Sequence, residues 1–201
     1  MADLSDFILS KVRIKLLEVF FEQPTGMWYV RELTRMTSEE INAVRRELDR
    51  MTKAGMVRNE DRGNRRYYSV NSSYDFYPEL MKLVAKTTGI GKKIKKNRKK
   101  LGNLKFVMFT GKFAKREKRA NDEVDILVIG EVVLPEMAAI VREEEQLRSV
   151  EINYTVMTED EFEFRKTRRD PFLLGILELP RVMILGDEEE MLERKPGLAT
   201  P

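Results

Sequence analysis

Residues 106–130 read FVMFTGKFAKREKRANDEVDILVIG, and this stretch decides the fold of the second half of the chain. An apolar run at residues 106–109 ends in a Thr-Gly turn, and a basic, helix-compatible segment follows it. A second apolar run covers residues 124–129 and contains Asp125. Because a carboxylate on a buried strand is costly unless it is paired or bound to a metal, the sequence predicts a specific role for Asp125.

This order of strand, glycine turn, short helix and acid-bearing strand resembles the nucleotidyltransferase superfamily, above all its minimal members. The resemblance covers residues 104–185. In that family one strand ends in Gly-Ser, whose backbone N–H groups bind phosphates. The next strand carries Asp-x-Asp, and its two carboxylates point to one face of the strand and chelate Mg²⁺. A third carboxylate on a neighbouring strand completes a two-metal site.

Mapped onto this chain, the resemblance implies two sets of positions: Gly111 and Lys112 for a nucleotide, and Glu123, Asp125 and Asn153 for a metal ion. Lys112 stands where the family has serine, and Glu123 is one methylene longer than aspartate. Asn153 lacks the third negative charge, although a shift of two residues would offer Glu151. These departures favour nucleotide sensing or a structural role over catalysis, with Glu123 and Asp125 as the only catalytic candidates.

Composition limits the chemistry further. The 201-residue chain has no cysteine and no histidine, which excludes thiol and imidazole catalysis and a zinc site of the usual Cys/His kind. The expected cofactors are Mg²⁺ and a nucleoside triphosphate, with neither zinc nor haem. No apolar run approaches the roughly 20 residues of a membrane helix, and the N-terminus lacks a signal-peptide core. A cytoplasmic protein without a membrane partner is expected.

Charge is distributed unevenly along the chain. Residues 1–75 hold 13 Lys+Arg against 12 Asp+Glu, a net charge of +1. Residues 76–119 hold 15 against 2, a net charge of +13, and residues 120–201 hold 9 against 20, a net charge of −11. A basic centre beside an acidic C-terminal third indicates a polyanionic partner that meets one part of the molecule.

The first third of the chain predicts three helices followed by a hairpin. Apolar residues at helical spacing indicate helices over residues 3–22, 30–35 and 37–54. Thr37 is predicted to cap the third helix, with Glu40 completing a capping box. Two β-compatible runs around a glycine-containing polar turn then form the hairpin.

Residues 28–71, WYVRELTRMTSEEINAVRRELDRMTKAGMVRNEDRGNRRYYSVN, resemble winged helix-turn-helix regulators in this order of elements. The resemblance implies that the third helix enters the major groove of double-stranded DNA and that the hairpin, the wing, lies on the backbone. The implied DNA-binding residues are Ser38, Glu39, Asn42, Arg45, Arg46, Arg62, Arg65 and Arg66. Asn42 would read adenine and Arg46 guanine, while Arg65 and Arg66 would contact phosphate. The alternatives are a merely solvated face and a face for protein contacts.

The remaining stretches complete the organisation. Residues 76–102 are predicted as a basic linker helix that lies along a polyanion, or as a solvated helix packed through Ile94 and Leu101. Residues 103–201 alternate strand and helix, which predicts helices on a mixed sheet. The predicted strands cover residues 104–110, 124–129, 150–157 and 181–185, and a short helix covers residues 112–118.

The sequence therefore predicts a two-domain chain that combines α+β and α/β parts. Residues 1–75 form a winged helix-turn-helix domain, and residues 103–201 form a nucleotidyltransferase-like α/β domain. The predicted function is a homodimeric transcription regulator whose second domain senses a nucleotide without turnover. Two alternatives stay open: a Mg²⁺-dependent nucleotidyltransferase that modifies a protein or small-molecule acceptor, and a module that binds a protein partner.

Overall fold

Two units meet in sequence between Thr87 and Thr88, in a computed structural model that describes residues 3–117 and 123–193. The first unit contains an antiparallel sheet and the second a mixed sheet. A two-part α/β chain with one mixed sheet is therefore confirmed. The boundary falls inside residues 76–102, so the two helices of that stretch go to different units instead of forming one linker. The part of the chain that the structure describes contains no helix long and apolar enough to cross a membrane.

The first helix, α1, spans Lys11–Glu22 and begins later than the sequence predicts. Ser10 caps it, and the Ser10 hydroxyl accepts a hydrogen bond of 3.2 Å from a backbone N–H of the first turn. The predicted start at residue 3 is wrong because Asp3 instead caps a separate 3₁₀ turn over Leu4–Asp6. Leu9 lies between this turn and α1 and is 99% exposed.

The second and third helices, α2 (Val30–Thr37) and α3 (Ile41–Lys53), are joined by a tight turn. The prediction that Thr37 caps α3 is wrong, because Thr37 ends α2 and its hydroxyl donates to the carbonyl one turn earlier, at 2.7 Å. Glu40 caps α3 instead, and its carboxylate accepts two backbone N–H groups of the first turn at 2.8 and 2.9 Å. These bonds lower the pKa of Glu40. Ser38 makes the turn with a left-handed φ of 54°.

The hairpin belongs to a three-stranded antiparallel sheet with the order β1-β3-β2. The strands are β1 (Trp28–Tyr29), β2 (Val57–Arg62) and β3 (Arg65–Val70). The strands extend into the predicted turn, so Asp61 faces Arg66 and Arg62 faces Arg65. A fourth helix, α4 (Tyr77–Thr87), follows, and its apolar side joins the core formed by α1, α2, α3 and the sheet.

The second unit begins with α5 (Gly89–Lys96) and then alternates strands and helices. The strands are β4 (Gly102–Thr110), β5 (Ile126–Val132), β6 (Tyr154–Met157) and β7 (Arg181–Leu185). The helices are α6 (Gly111–Ala114), α7 (Leu134–Arg148), α8 (Glu159–Thr167), α9 (Pro171–Glu178) and α10 (Glu188–Leu192). The sheet order is β6-β5-β4-β7, with β5 and β6 parallel and the other pairs antiparallel.

Two predicted boundaries around the opening stretch change. The short helix expected over residues 112–118 ends at Ala114, and residue 118 lies outside the described residues. The strand expected from residue 124 begins at Ile126, so Glu123 and Asp125 precede β5 instead of lying on it. Helix α10 occupies part of the C-terminal acidic stretch, where its first turn is capped by the Asp187 carboxylate at 3.0 Å.

Candidate functional site

The exposed face of α3 carries three of the predicted DNA-binding residues. The opposite face is fully buried in the core of the first unit through Val44, Leu48 and Met51. Because an α-helix turns every 3.6 residues, this burial directs Asn42, Arg45 and Arg46 outward, and all three are exposed. A helix with this arrangement presents one guanidinium-rich edge to any partner of the first unit.

Two ion pairs fix α3 and the turn before it against α1. Glu47 is 3% exposed and receives hydrogen bonds from Arg13 and, at 3.1 Å, from the Ser10 hydroxyl. The Lys15 ammonium contacts the Glu39 carboxylate at 2.6 Å. Glu39, predicted to contact DNA, therefore already serves as an anchor for the turn, while Ser38 remains exposed beside it.

The three predicted wing arginines differ in what they contact. Arg66 makes a two-pronged pair with Asp61 (Nε–Oδ1 2.8 Å, Nη2–Oδ2 3.0 Å), and Arg62 makes one with Glu60 at 3.0 and 3.2 Å. These hydrogen bonds lower the pKa values of Asp61 and Glu60 and raise those of the arginines. Two of the three guanidinium groups are thus neutralised by their own wing.

Arg65 is held differently, by stacking. Its Cζ atom lies 4.7 Å from the centroid of the Tyr29 ring, within the range of a cation–π contact. Tyr29 in turn packs edge-on against Tyr67, with 5.8 Å between ring centroids. The contact places the Arg65 guanidinium group over the face of the Tyr29 ring.

A groove of about 800 Å³ separates the wing from α3 and from the start of α2. The charged residues that line it are Arg31, Arg45, Asp49, Asp61, Arg65 and Arg66. Four arginines against two aspartates leave an excess of positive charge in a concave, open surface. Such a surface attracts anions, and phosphate esters are the anions that guanidinium groups match in geometry.

Tyr29, Arg31 and Asp49 also line this groove, and they are not among the residues that the sequence predicts to bind DNA. Arg31 and Asp49 lie on helices whose exposed faces carry many charged residues, so no local sequence pattern distinguishes these two from the others. The pairing of β1 with β3 sets Tyr29 opposite Tyr67 and brings its ring under Arg65, and this depends on register.

The residues predicted to bind a nucleotide and a metal ion lie close together in the second unit. The Lys112 ammonium is 3.4 Å from Glu123 Oε1, and a Cβ atom placed on Gly111 would lie 3.3 Å from Glu123 Oε2. The Asn153 side-chain amide donates to the Glu123 carbonyl at 3.3 Å. Asp125 completes the group, because its Oδ2 accepts the Asn153 backbone N–H at 2.8 Å.

The groups that would hold phosphates are already engaged in this cluster. The Gly111 N–H donates to the Pro180 carbonyl at 2.8 Å, and Lys112 faces Glu123. Helix α6 is only four residues long, so its dipole is small compared with that of a full phosphate-binding helix. The Gly111 N–H and the Lys112 ammonium at the predicted phosphate position therefore already have partners within the second unit.

The two predicted metal carboxylates occupy different environments. Asp125 is 1% exposed, whereas the Glu123 side chain is 28% exposed, and both precede β5. Glu151, the alternative third acid, is exposed and precedes β6. Within residues 3–117 and 123–193, no three acidic side chains form a group that could hold a metal ion.

The basic run of residues 92–100 is partly neutralised inside the second unit. The Lys93 ammonium contacts Glu143 at 3.0 Å and Glu144 at 3.1 Å, and Glu144 is 2% exposed. Burial lowers the pKa of Lys93, but the hydrogen bonds to both glutamates outweigh burial and raise it overall. Ile94 and Leu101 are fully buried. Lys93 and Ile94 therefore help to pack α5 onto α7, while Lys96, Lys99 and Lys100 stay exposed.

Comparison with known proteins adds no identity: no family model, curated protein or solved structure matches the chain. The molecule itself defines a class by its geometry. It is a two-unit α/β protein with an arginine-lined helix–hairpin surface in the first unit and a cluster of polar side chains in the second.

Proposed function

We propose that the protein is a DNA-binding transcriptional regulator whose first unit is a winged helix-turn-helix domain. The order α1-β1-α2-α3-β2-β3 and the sheet order β1-β3-β2 support this assignment. The observation that carries the proposal is the division of α3 into a core face and an exposed face bearing Asn42, Arg45 and Arg46. A helix in the major groove needs such a face at its surface and a fixed backbone behind it.

In this proposal α3 reads bases and the wing lies on the backbone. The guanidinium group of Arg46 suits the O6 and N7 atoms of guanine, and the Asn42 amide suits the N6 and N7 atoms of adenine. Two copies of the chain would bind half-sites about 34–36 Å apart, one helical turn of duplex DNA. A homodimer is therefore part of the proposal.

For the second unit we propose a nucleotidyltransferase-like fold that no longer transfers nucleotides. The support is the engagement of Gly111 with Pro180 and of Lys112 with Glu123, together with the burial of Asp125 beneath the Asn153 N–H. A nucleotide ligand would bind here only after Lys112 leaves Glu123. The alternative, a Mg²⁺-dependent transferase, predicts labelling of an acceptor from α-labelled ATP that is lost in Asp125→Ala.

The test of DNA binding is a selection followed by titration. Duplexes enriched from a random pool by the full chain are labelled with fluorescein, and fluorescence anisotropy is measured for the enriched and the random duplex. Arg46→Ala is expected to lose about 1–3 kcal/mol of discrimination between the two. Lys82→Ala, which removes one exposed positive charge from α4, is the matched control and should keep the discrimination. No enrichment, or equal discrimination in Arg46→Ala, would contradict this assignment of the reading face.

A further inference from the structure

We propose that the groove between the wing and α3 binds the phosphate backbone through Arg65, and that Asp61 competes with the phosphate for Arg66. This inference rests on the proposed DNA binding and adds a regulation of affinity to it. The acidic residue Asp61 in the wing would keep the affinity of the chain for DNA below the value that its arginines alone would give.

Arg65 is the cation that the groove presents in a fixed position. Its guanidinium group lies over the Tyr29 ring, with 4.7 Å from Cζ to the ring centroid. Both residues line the groove. Because stacking already restricts the side chain, less conformational entropy is lost when the N–H edge binds a phosphate oxygen. Arg31 and Arg45, both exposed, approach the same groove from α2 and α3.

Arg66 lines the same groove but carries its own counter-ion. Asp61 sits opposite Arg66 in the hairpin register and takes both N–H groups of the two-pronged contact, Nε and Nη2, at 2.8 and 3.0 Å. A phosphate that binds Arg66 must displace the carboxylate or accept its negative charge nearby. Phosphate contacts supply a large part of the affinity for duplex DNA. Competition between Asp61 and phosphate for Arg66 therefore changes that part of the affinity.

The pair of Arg62 with Glu60 provides an internal comparison. It has the same chemistry and similar distances of 3.0 and 3.2 Å, but neither residue lines the groove. Removing the carboxylate charge at Glu60 changes the net charge of the chain as much as removing it at Asp61. A difference between the two variants therefore reports on the groove and not on overall charge.

The experiment measures binding of the full chain to a labelled duplex of random sequence over a series of salt concentrations. Asp61→Asn is expected to bind several-fold more tightly than the parent and to steepen the dependence of log K on log salt by about one. Glu60→Gln should stay close to the parent. The gain from Asp61→Asn should disappear when Arg66→Ala is also present. An equal gain in Glu60→Gln, or a gain that persists without Arg66, overturns the competition.

Variants of Arg65 test the phosphate contact itself. Arg65→Ala should weaken binding several-fold and reduce the salt dependence by about one. Arg65→Lys, which keeps the charge but loses the planar stack on Tyr29, should fall between Arg65→Ala and the parent. Arg58→Ala removes an exposed arginine of β2 that lies outside the groove and should change binding less. Equal losses of affinity in Arg65→Ala and Arg58→Ala would overturn the phosphate contact in the groove but not the proposed DNA binding. If the parent chain binds no duplex at all, both the groove contact and the proposed function are overturned.

Discussion

Asp125 Oδ2 accepts the backbone N–H of Asn153 at 2.8 Å, and this bond joins the start of β5 to the start of β6. The Asn153 carbonyl reciprocates by accepting the Asp125 N–H at 2.7 Å. Asp125 is 1% exposed, and a backbone donor 28 residues along the chain contacts one oxygen of this buried carboxylate. The acid that suggests catalysis in the sequence has a structural contact in the fold.

Replacing Asp125 is therefore expected to change stability. Asp125→Ala removes the acceptor and leaves the half-buried Asn153 N–H without it, at a cost of about 1–3 kcal/mol in the free energy of unfolding. Asp125→Asn keeps a side-chain oxygen and should lose less. Urea denaturation followed by circular dichroism measures both values. Glu123→Ala, at a half-exposed position, is the control and should stay within about 0.5 kcal/mol of the parent.

Local patterns in the sequence predict what depends on nearest neighbours along the chain. The helix–helix–hairpin order and the outward face of α3 follow from a 3.6-residue period that places Val44 and Leu48 inside. Gly55, which follows α3, has a φ of 78°, and glycine is favoured in this left-handed conformation at the end of a helix. The alternation of strands and helices likewise predicts the mixed sheet of the second unit.

The sequence does not predict two kinds of feature. One is the choice between two residues that are equally suited to cap a helix, and the other is a contact that depends on strand register. Thr37 and Glu40 are both able to cap a helix, and the burial of Thr37 to 3% exposure decides between them. The stack of Arg65 on Tyr29 requires the pairing of β1 with β3. The bond from Asn153 to Asp125 requires the register of β5 against β6. The partners in these last two contacts are far apart in sequence.

The anchor between α1 and α3 gives a second stability prediction. Arg13→Met leaves the buried Glu47 carboxylate with one hydrogen-bonded cation fewer, and we expect a loss of about 1–3 kcal/mol. The double variant Arg13→Met/Glu47→Leu should recover much of this loss, because an apolar pair no longer carries an uncompensated buried charge. Trp28, the single tryptophan, packs on Phe20 and reports unfolding of this unit by fluorescence.

The control for this anchor is the exposed pair of Lys15 with Glu39. The Lys15 side chain is 41% exposed, so solvent screens its charge, and Lys15→Met should cost less than about 1 kcal/mol. An equal loss in Lys15→Met and Arg13→Met would show that burial of Glu47 does not matter. A double variant less stable than Arg13→Met would show that packing and not charge governs the site.

The contact of α5 with α7 should depend on pH at both ends of the range. Burial raises the pKa of Glu144, but Arg148 and Lys93 outweigh burial, and the pKa is lowered overall. Its stabilisation is therefore present above the unfolded pKa of about 4.3 and is lost as the pH falls through the lower folded value. The pKa of Lys93 is raised, so its stabilisation is present below about 10.4 and is lost as the pH rises through the folded value.

Hydrogen exchange of the α7 amides, followed by mass spectrometry, measures this dependence in one element. Glu144→Gln should reduce protection at neutral pH and remove most of the loss seen in the parent on acidification. Glu143→Gln is the matched control, since the Glu143 side chain is 62% exposed although it contacts the same lysine. An acid-induced loss of protection that is as large in Glu144→Gln as in the parent would assign it to other groups.

A substitution in the Lys112–Glu123 pair distinguishes two roles for Glu123: a counter-ion of Lys112 and a metal ligand. The two roles predict opposite changes in the affinity for ATP with Mg²⁺. If Glu123 only holds Lys112, at 3.4 Å, then Glu123→Gln releases the ammonium for a triphosphate, and affinity for ATP with Mg²⁺ should rise. If Glu123 binds a metal ion, the same substitution removes a ligand and affinity should fall. Isothermal titration with ATP and Mg²⁺ measures the sign, and Glu131→Gln, an exposed residue of β5, controls for the change of charge. We expect the rise, because the Glu123 carboxylate faces the Lys112 ammonium in the structure.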